Sequence, residues 1–260
     1  MSKVRAIVLR AAGINCDMET EYALELAGAQ AERVHINRLI ENPAALQEYQ
    51  ILVIPGGFSY GDDVAAGKIL ANQTTHHLSP QLRKFIDDGK VVLGICNGFQ
   101  VLVKAGILPG DCGIGQGRVT ITYNDSGKFE DRWVYLSPAT DRCIFIEAGR
   151  QIYLPVAHGE GKVVTSEEGV LEKLRAEKYV AFRYVDQAGR PGGYPVNPNG
   201  SVDSIAGLTD STGRVLGLMP HPERYVRHTQ HPHWTRLSER SDGDGMTIFR
   251  NAVRYIRDHL

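Results

Sequence analysis

Four cysteines scattered through 260 residues do not make a disulfide framework. Excess charge is equally scarce, and a net charge of −1 gives no electrostatic case for binding nucleic acid or an anionic membrane. No apolar run approaches the length of a membrane span. Met1-Ser2-Lys3 leads straight into a short apolar strand, and nothing there resembles a signal peptide. Internal repeats, coiled-coil heptads and low-complexity tracts are missing as well. These absences together predict a cytoplasmic protein. A chain of this length can bury a substantial core. One α/β domain over 1–260, with insertions around 187–201 and 227–245, fits better than two small domains.

Short apolar runs alternate with helical patterns through the first half. Strands are expected at Val4 to Leu9, Arg33 to Ile36, Ile51 to Ile54 and Val91 to Ile95. Between them fall helices at Met18 to Ala27, Pro43 to Glu48, Ala65 to Thr75 and Pro80 to Asp88. That order predicts a doubly wound, mainly parallel sheet with reactive loops at strand carboxyl ends. From Arg118 to Asp210 the runs Val119 to Tyr123, Trp133 to Ser137, Gln151 to Val156 and Tyr179 to Tyr184 predict antiparallel additions. Gln187 to Ser201, dense in Gly, Pro and Asn, reads as a loop, and Met246 to Asp258 as a closing helix.

Three segments carry chemistry. In Gly94-Ile95-Cys96-Asn97-Gly98, small residues flank a cysteine where an apolar strand gives way to a helix-capable stretch. This is the pattern of a nucleophile elbow, which exposes the side chain at the strand end. The helix start supplies free N–H groups and a positive dipole end that favour a thiolate and can hold an oxyanion. A buried structural cysteine is the plainer alternative. The second segment, Met219-Pro220-His221-Pro222-Glu223-Arg224, follows another apolar run. Its prolines forbid helix and hold the chain extended, so His221 and Glu223 project to the same side as a base and its orienter. The third, Pro55-Gly56-Gly57-Phe58, ends a buried strand and lets the Gly57 N–H join that of Asn97 in an oxyanion hole. A phosphate loop fails here: Gly61 and Gly67 stand one position too far apart, and Ile69 replaces the magnesium-binding hydroxyl.

With these segments in view, the chain resembles the class I, triad-type glutamine amidotransferases, which have a flavodoxin-like core. The closer likeness is to the glutaminase subunits of phosphoribosylformylglycinamidine synthase. Gly13-Ile14-Asn15-Cys16-Asp17, Phe58-Ser59-Tyr60-Gly61-Asp62, His158-Gly159-Glu160-Gly161 and Pro198-Asn199-Gly200-Ser201 carry that likeness, in family order. The resemblance implies that Cys96 attacks the amide of L-glutamine, with His221 and Glu223 completing the triad and Gly57 and Asn97 forming the oxyanion hole. It places Gly56, Gln100, His158, Gly159 and Glu160 at bound glutamine. It also implies that this chain carries no cofactor or metal. ATP and magnesium belong to a synthetase subunit that makes formylglycinamidine ribonucleotide, often with a small accessory subunit. The arginine that many shorter members carry after Tyr-Gly-Asp is absent, since the chain reads Asp63-Val64-Ala65-Ala66-Gly67-Lys68.

Cys16 also follows a strand, but no second glycine follows at elbow spacing, and Asp17 reads as the N-cap of the next helix. Cys16 is therefore expected to be a decoy thiol. His228, His231 and His233 invite a zinc reading, yet no cysteine or acidic run completes a tetrahedral set, which favours a solvated loop or partner-facing surface. The alternatives to an amidotransferase are a related cysteine hydrolase or peptidase, a non-catalytic regulatory scaffold, and a zinc hydrolase built on those histidines.

Overall fold

A computed structural model describes residues 3–110, 117–238 and 242–260. Among the described residues, nine strands form one mixed sheet in the order β2-β1-β3-β4-β11-β10-β9-β6-β7. The parallel half comprises β1 (Arg5–Arg10), β2 (Gln30–His35), β3 (Ile51–Ile54), β4 (Val91–Ile95) and β11 (Val215–Leu218). Every residue of β3, β4 and β11 is buried, as a strand covered on both faces requires. Helices α1 (Asp17–Leu26), α2 (Ile36–Glu41), α3 (Lys68–Gln73), α4 (Ser79–Asp87), α5 (Asn97–Lys104) and α7 (Met246–His259) accompany it. This is the α/β doubly wound architecture read from the alternating pattern.

The other half is antiparallel: β10 (Ile205–Thr209), β9 (Val180–Val185), β6 (Glu130–Pro138) and β7 (Ile152–His158) extend the sheet from β11. A separate pair, β5 (Val119–Tyr123) with β8 (Glu160–Thr165), and helix α6 (Glu168–Ala176) complete it. The antiparallel wing curls back over the parallel half. The His221 N–H donates to the Pro155 carbonyl at 2.8 Å, so edge strand β7 reaches the carboxyl ends of β4 and β11.

Several local expectations need correction. Pro43–Glu48 is 3₁₀ rather than α-helical, and Pro222–Arg224 makes a single 3₁₀ turn, because proline is tolerated at the first helical position. Asp17 is the first residue of α1, and Cys16 occupies the cap position. The Asp17 carboxylate instead meets Arg10 at 2.8 Å and Arg33 at 3.5 Å. Elements α2, β8, α6 and β10 were not read from the sequence. Residues 187–201 form no regular element, and their end braces β8: the Asn199 amide donates to the Gly161 carbonyl at 2.9 Å, and the Val163 N–H to the Ser201 hydroxyl at 2.9 Å.

Of the 227–245 insertion, residues 239–241 lie outside the described part. Most of the remainder is exposed, 229–230 and 232–238 included, as the solvated-loop reading expects, but two of its histidines are tied down. His231 sits 5.4 to 5.6 Å from the rings of Trp133, Tyr153 and Tyr225, and buried His228 meets Trp234 edge-on.

Candidate active site

The carboxyl ends of β3, β4 and β11 bring the three sequence segments together. At the end of β4, Cys96 adopts φ 50°, a left-handed conformation that L residues rarely hold. Its neighbours make this turn possible. A Cβ on Gly98 would stand 1.8 Å from the Ile54 carbonyl oxygen, and one on Gly94 2.5 Å from Leu102 and 2.7 Å from the Gly98 carbonyl. The two glycines therefore permit close approach of α5 to β3 and β4. The Cys96 N–H donates to the Leu218 carbonyl at 2.7 Å, which fixes the elbow against β11, and its sulfur lies 3.7 Å from the Ala157 carbonyl.

His221 follows β11. Its Nδ1 is 2.6 Å from Oε1 of Glu223, and both side chains are buried. That bond assigns one proton to Nδ1 and leaves Nε2 as the nitrogen that exchanges a proton. Nε2 makes no hydrogen bond among the described residues. Burial alone would keep the ring neutral. The Glu223 carboxylate, and after it the Cys96 sulfur, outweigh burial and hold the imidazole pKa well above its ordinary value. The two segments, separated by nearly half the sequence, thus meet as an interacting pair.

A cavity of about 150 Å³ opens beside the sulfur, lined by Gly57, Phe58, Asp62, Ala66, Cys96, Gln100, Tyr123, Phe129, Ala157, His158, Gly159 and Glu160. Its mouth carries exposed aromatic rings, Phe58, Tyr123 and Phe129, the first and last with ring centres 6.4 Å apart. Gly57 has φ 140°, and a Cβ there would strike the Gly13–Asn15 backbone at 2.8 to 2.9 Å. As first residue of α5, Asn97 has no helical acceptor for its N–H. Of the sequence-derived residues, Gly56 departs from expectation. It stands behind the imidazole, where a Cβ would be 2.7 Å from His221 Cε1, and it is not part of the cavity wall.

The side chain of Asn97 does work that sequence reasoning missed. Its carbonyl oxygen accepts from the Ser59 N–H at 3.3 Å, and its amide donates to Asp62 at 3.2 Å and to Gln100 at 3.0 Å. Gln100 then donates to the Glu160 carbonyl at 2.5 Å. One chain of hydrogen bonds therefore ties the Gly57 loop, the elbow and the β7–β8 turn. His158 is buried, with Nδ1 3.1 Å from the Asn124 side-chain oxygen, and Asn124 donates back to the His158 carbonyl at 2.8 Å. Burial, reinforced by the neighbouring charge of His221, pushes the His158 pKa down to about 3, so it is a neutral structural ring.

Cys16 lies closer to this chemistry than a decoy should. Its sulfur and ligand atoms of His221 and Glu223 all fall within 4.8 Å of one another, a set that could in principle hold a metal. The Arg224 guanidinium, however, sits on that sulfur at 3.1 Å and also bonds Glu19 at 3.0 Å. A fixed cation at the same atom opposes a second one. Burial raises the Cys16 pKa, which keeps the thiol protonated and unreactive. His228, His231 and His233 form no such group among the described residues.

A family model described as a CobB/CobQ-like glutamine amidotransferase domain matches residues 3–256. The chain is 49% identical to phosphoribosylformylglycinamidine synthase subunit PurQ of Dehalococcoides mccartyi, over 99% of each chain. The chain belongs to the PurQ family of glutamine amidotransferases. PurQ of Methanococcus maripaludis is 39% identical over 96% of this chain and 97% of its own length. The structure of PurLQS from Thermotoga maritima contains a chain that superimposes with a TM-score of 0.74 at 31% identity, covering 98% of this chain and all of that one. This PurQ-family chain is thus an enzyme component, the glutamine amidotransferase of phosphoribosylformylglycinamidine synthase in purine biosynthesis.

Proposed function

We propose that Cys96, His221 and Glu223 hydrolyse the side-chain amide of L-glutamine and that the ammonia passes to a docked synthetase subunit. One observation carries the reading: His221 is held by Glu223 through Nδ1 at 2.6 Å, while its other nitrogen stays unspent within electrostatic reach of the elbow cysteine. The sulfur attacks the amide carbon, and the oxygen becomes an oxyanion held by the Gly57 and Asn97 N–H groups. The C–N bond breaks as the imidazolium hands its proton to the nitrogen, releasing ammonia and leaving a thioester. Neutral His221 then takes a proton from water, whose oxygen adds to the thioester carbon. The C–S bond breaks, and the sulfur leaves paired with imidazolium as glutamate forms. Gln100 and the His158-Gly159-Glu160 turn shape the amino-acid end of the pocket.

The relatives' name and the PurLQS structure support a synthetase partner, to which we assign ATP and magnesium, and a small accessory subunit. Ammonia in free solution is mostly protonated near neutral pH, so transfer within a complex is the physical requirement. The exposed rings of Phe58, Tyr123 and Phe129 around the mouth suit burial against such a partner. Both subunits then share a reducing cytoplasm, which keeps a catalytic thiolate intact.

Glutamate release by wild type and Cys96→Ala, each with and without the synthetase, tests this. Wild type should be weak alone and rise with the partner, while Cys96→Ala releases none but still supports the synthetase when ammonium salt is added. Glutamate release by Cys96→Ala at the wild-type rate would overturn the triad assignment.

A further inference from the structure

Asp62 ends a left-handed turn: Tyr60, Gly61 and Asp62 have φ of 55°, 72° and 55° in succession. Such a run is costly for the two residues that bear a Cβ, and strain of this kind is retained where the surroundings hold it in place. Here it is held by Asp62 itself. Its Oδ1 accepts from the Gly67 N–H at 3.2 Å and from the Asn97 amide at 3.2 Å. Both donors reach the same oxygen. Among the described residues, Oδ2 accepts no hydrogen bond, and the carboxylate has no ion-pair partner within 4.0 Å. The side chain lines the same cavity as Cys96.

The other charges around the cavity are already matched. Lys104 donates to the Ala66 carbonyl at 2.5 Å and faces the Glu160 carboxylate at 3.9 Å. Glu160 in turn sees that ammonium, whereas Asp62 feels Glu160 as a like charge and Lys104 only at a distance. Burial works against the charge of Asp62, and a cation entering the cavity would relieve it. From the geometry we infer that Asp62 receives the α-ammonium of glutamine through Oδ2 and so selects an amino acid over a simple carboxamide. Asp62 is then a binding and specificity residue. It is also one side chain away from Asn97, so a bound ammonium steadies the residue whose N–H faces the oxyanion.

This rests on the glutaminase reading above, and the experiment separates the two. The complex with the synthetase is assayed on L-glutamine and on glutaramate, which has the same carboxamide and carboxylate but no α-amino group. Wild type should prefer glutamine by at least ~10²-fold in kcat/KM, the scale of a charge-assisted hydrogen bond lost in a water-poor site. Asp62→Asn keeps the acceptor oxygen for Gly67 and Asn97, so it should lower kcat/KM for glutamine ~10²-fold more than for glutaramate, mainly through KM, and bring the ratio of the two substrates toward unity. The substrate ratio is independent of how much of the variant is folded. Equal losses on both substrates, or a wild type that turns over both alike, overturn the assignment of Asp62 while leaving the triad standing. A wild-type complex that hydrolyses neither substrate overturns the glutaminase reading itself, and this assignment with it.

Discussion

His158 offers a test of buried electrostatics that does not depend on catalysis. The ring is packed against Gly161, where a Cβ would lie 2.3 to 2.7 Å from its atoms, and Nε2 is buried without a hydrogen-bond partner among the described residues. Nδ1 donates to Asn124, so acid must place the second proton on Nε2, beside an already charged His221. The folded pKa is about 3 against an ordinary value of 6.5. A histidine depressed on folding contributes stability that is present above 6.5 and lost as pH falls toward 3, because the unfolded chain takes up the proton first. Between about pH 7 and about pH 5 the linkage integral gives ~2 kcal/mol, and the loss reaches ~4 kcal/mol by about pH 3.

The assay is urea unfolding of wild type and His158→Asn near both pH values. Asparagine can still donate to Asn124 but does not titrate. The variant should be less stable at neutral pH because it leaves unfilled space. Yet wild type should lose ~2 kcal/mol more than the variant on acidification, a difference of ~4–8 °C in melting temperature for a chain of this size. Other groups titrate in both proteins and cancel in the comparison. Equal pH slopes would show that His158 is not held neutral, and the account of its burial would be wrong.

Replacing Glu223 by Gln removes the negative charge that stabilises the His221 imidazolium and offers an NH2 donor that favours the wrong tautomer; kcat should fall ~10³–10⁴-fold with little change in thermal stability, and a loss under tenfold would refute the orienting role. Gly98→Ala must move the Ile54 carbonyl, 1.8 Å from the new methyl, so it should cost at least the ~1–3 kcal/mol of an overpacked core and disable the elbow. A fully stable, active variant would contradict the close approach of α5 to β3. Asn97→Ala leaves the backbone N–H in place but cuts the links to Ser59, Asp62 and Gln100; steady-state kinetics should show a raised KM together with a lowered kcat, and unchanged values would mean the links are incidental.

What the sequence showed and what it hid follow from the range of the forces involved. The elbow was legible because Gly94 and Gly98 encode a backbone constraint in residue type, and the constraint is local. His221 and Glu223 were legible because Pro220 and Pro222 restrict so few bonds that two side chains must share a side. β10 was hidden for the opposite reason. Gly207 reads as a breaker, but in the sheet it lets the chain pass β11, where a Cβ would meet the Gly217 carbonyl at 2.6 Å. Only the partner strand reveals why glycine stands there. The surroundings of Cys16 were hidden in the same way: its spacing excludes an elbow, but nothing near it in sequence announces that Arg224 will cross to its sulfur beside the imidazole. In the sequence Asp62 is only the end of the Phe58-Ser59-Tyr60-Gly61-Asp62 motif. Its significance lies in a charge left over once Lys104 has turned to Glu160, and that remainder exists only when three distant loops have closed on one cavity.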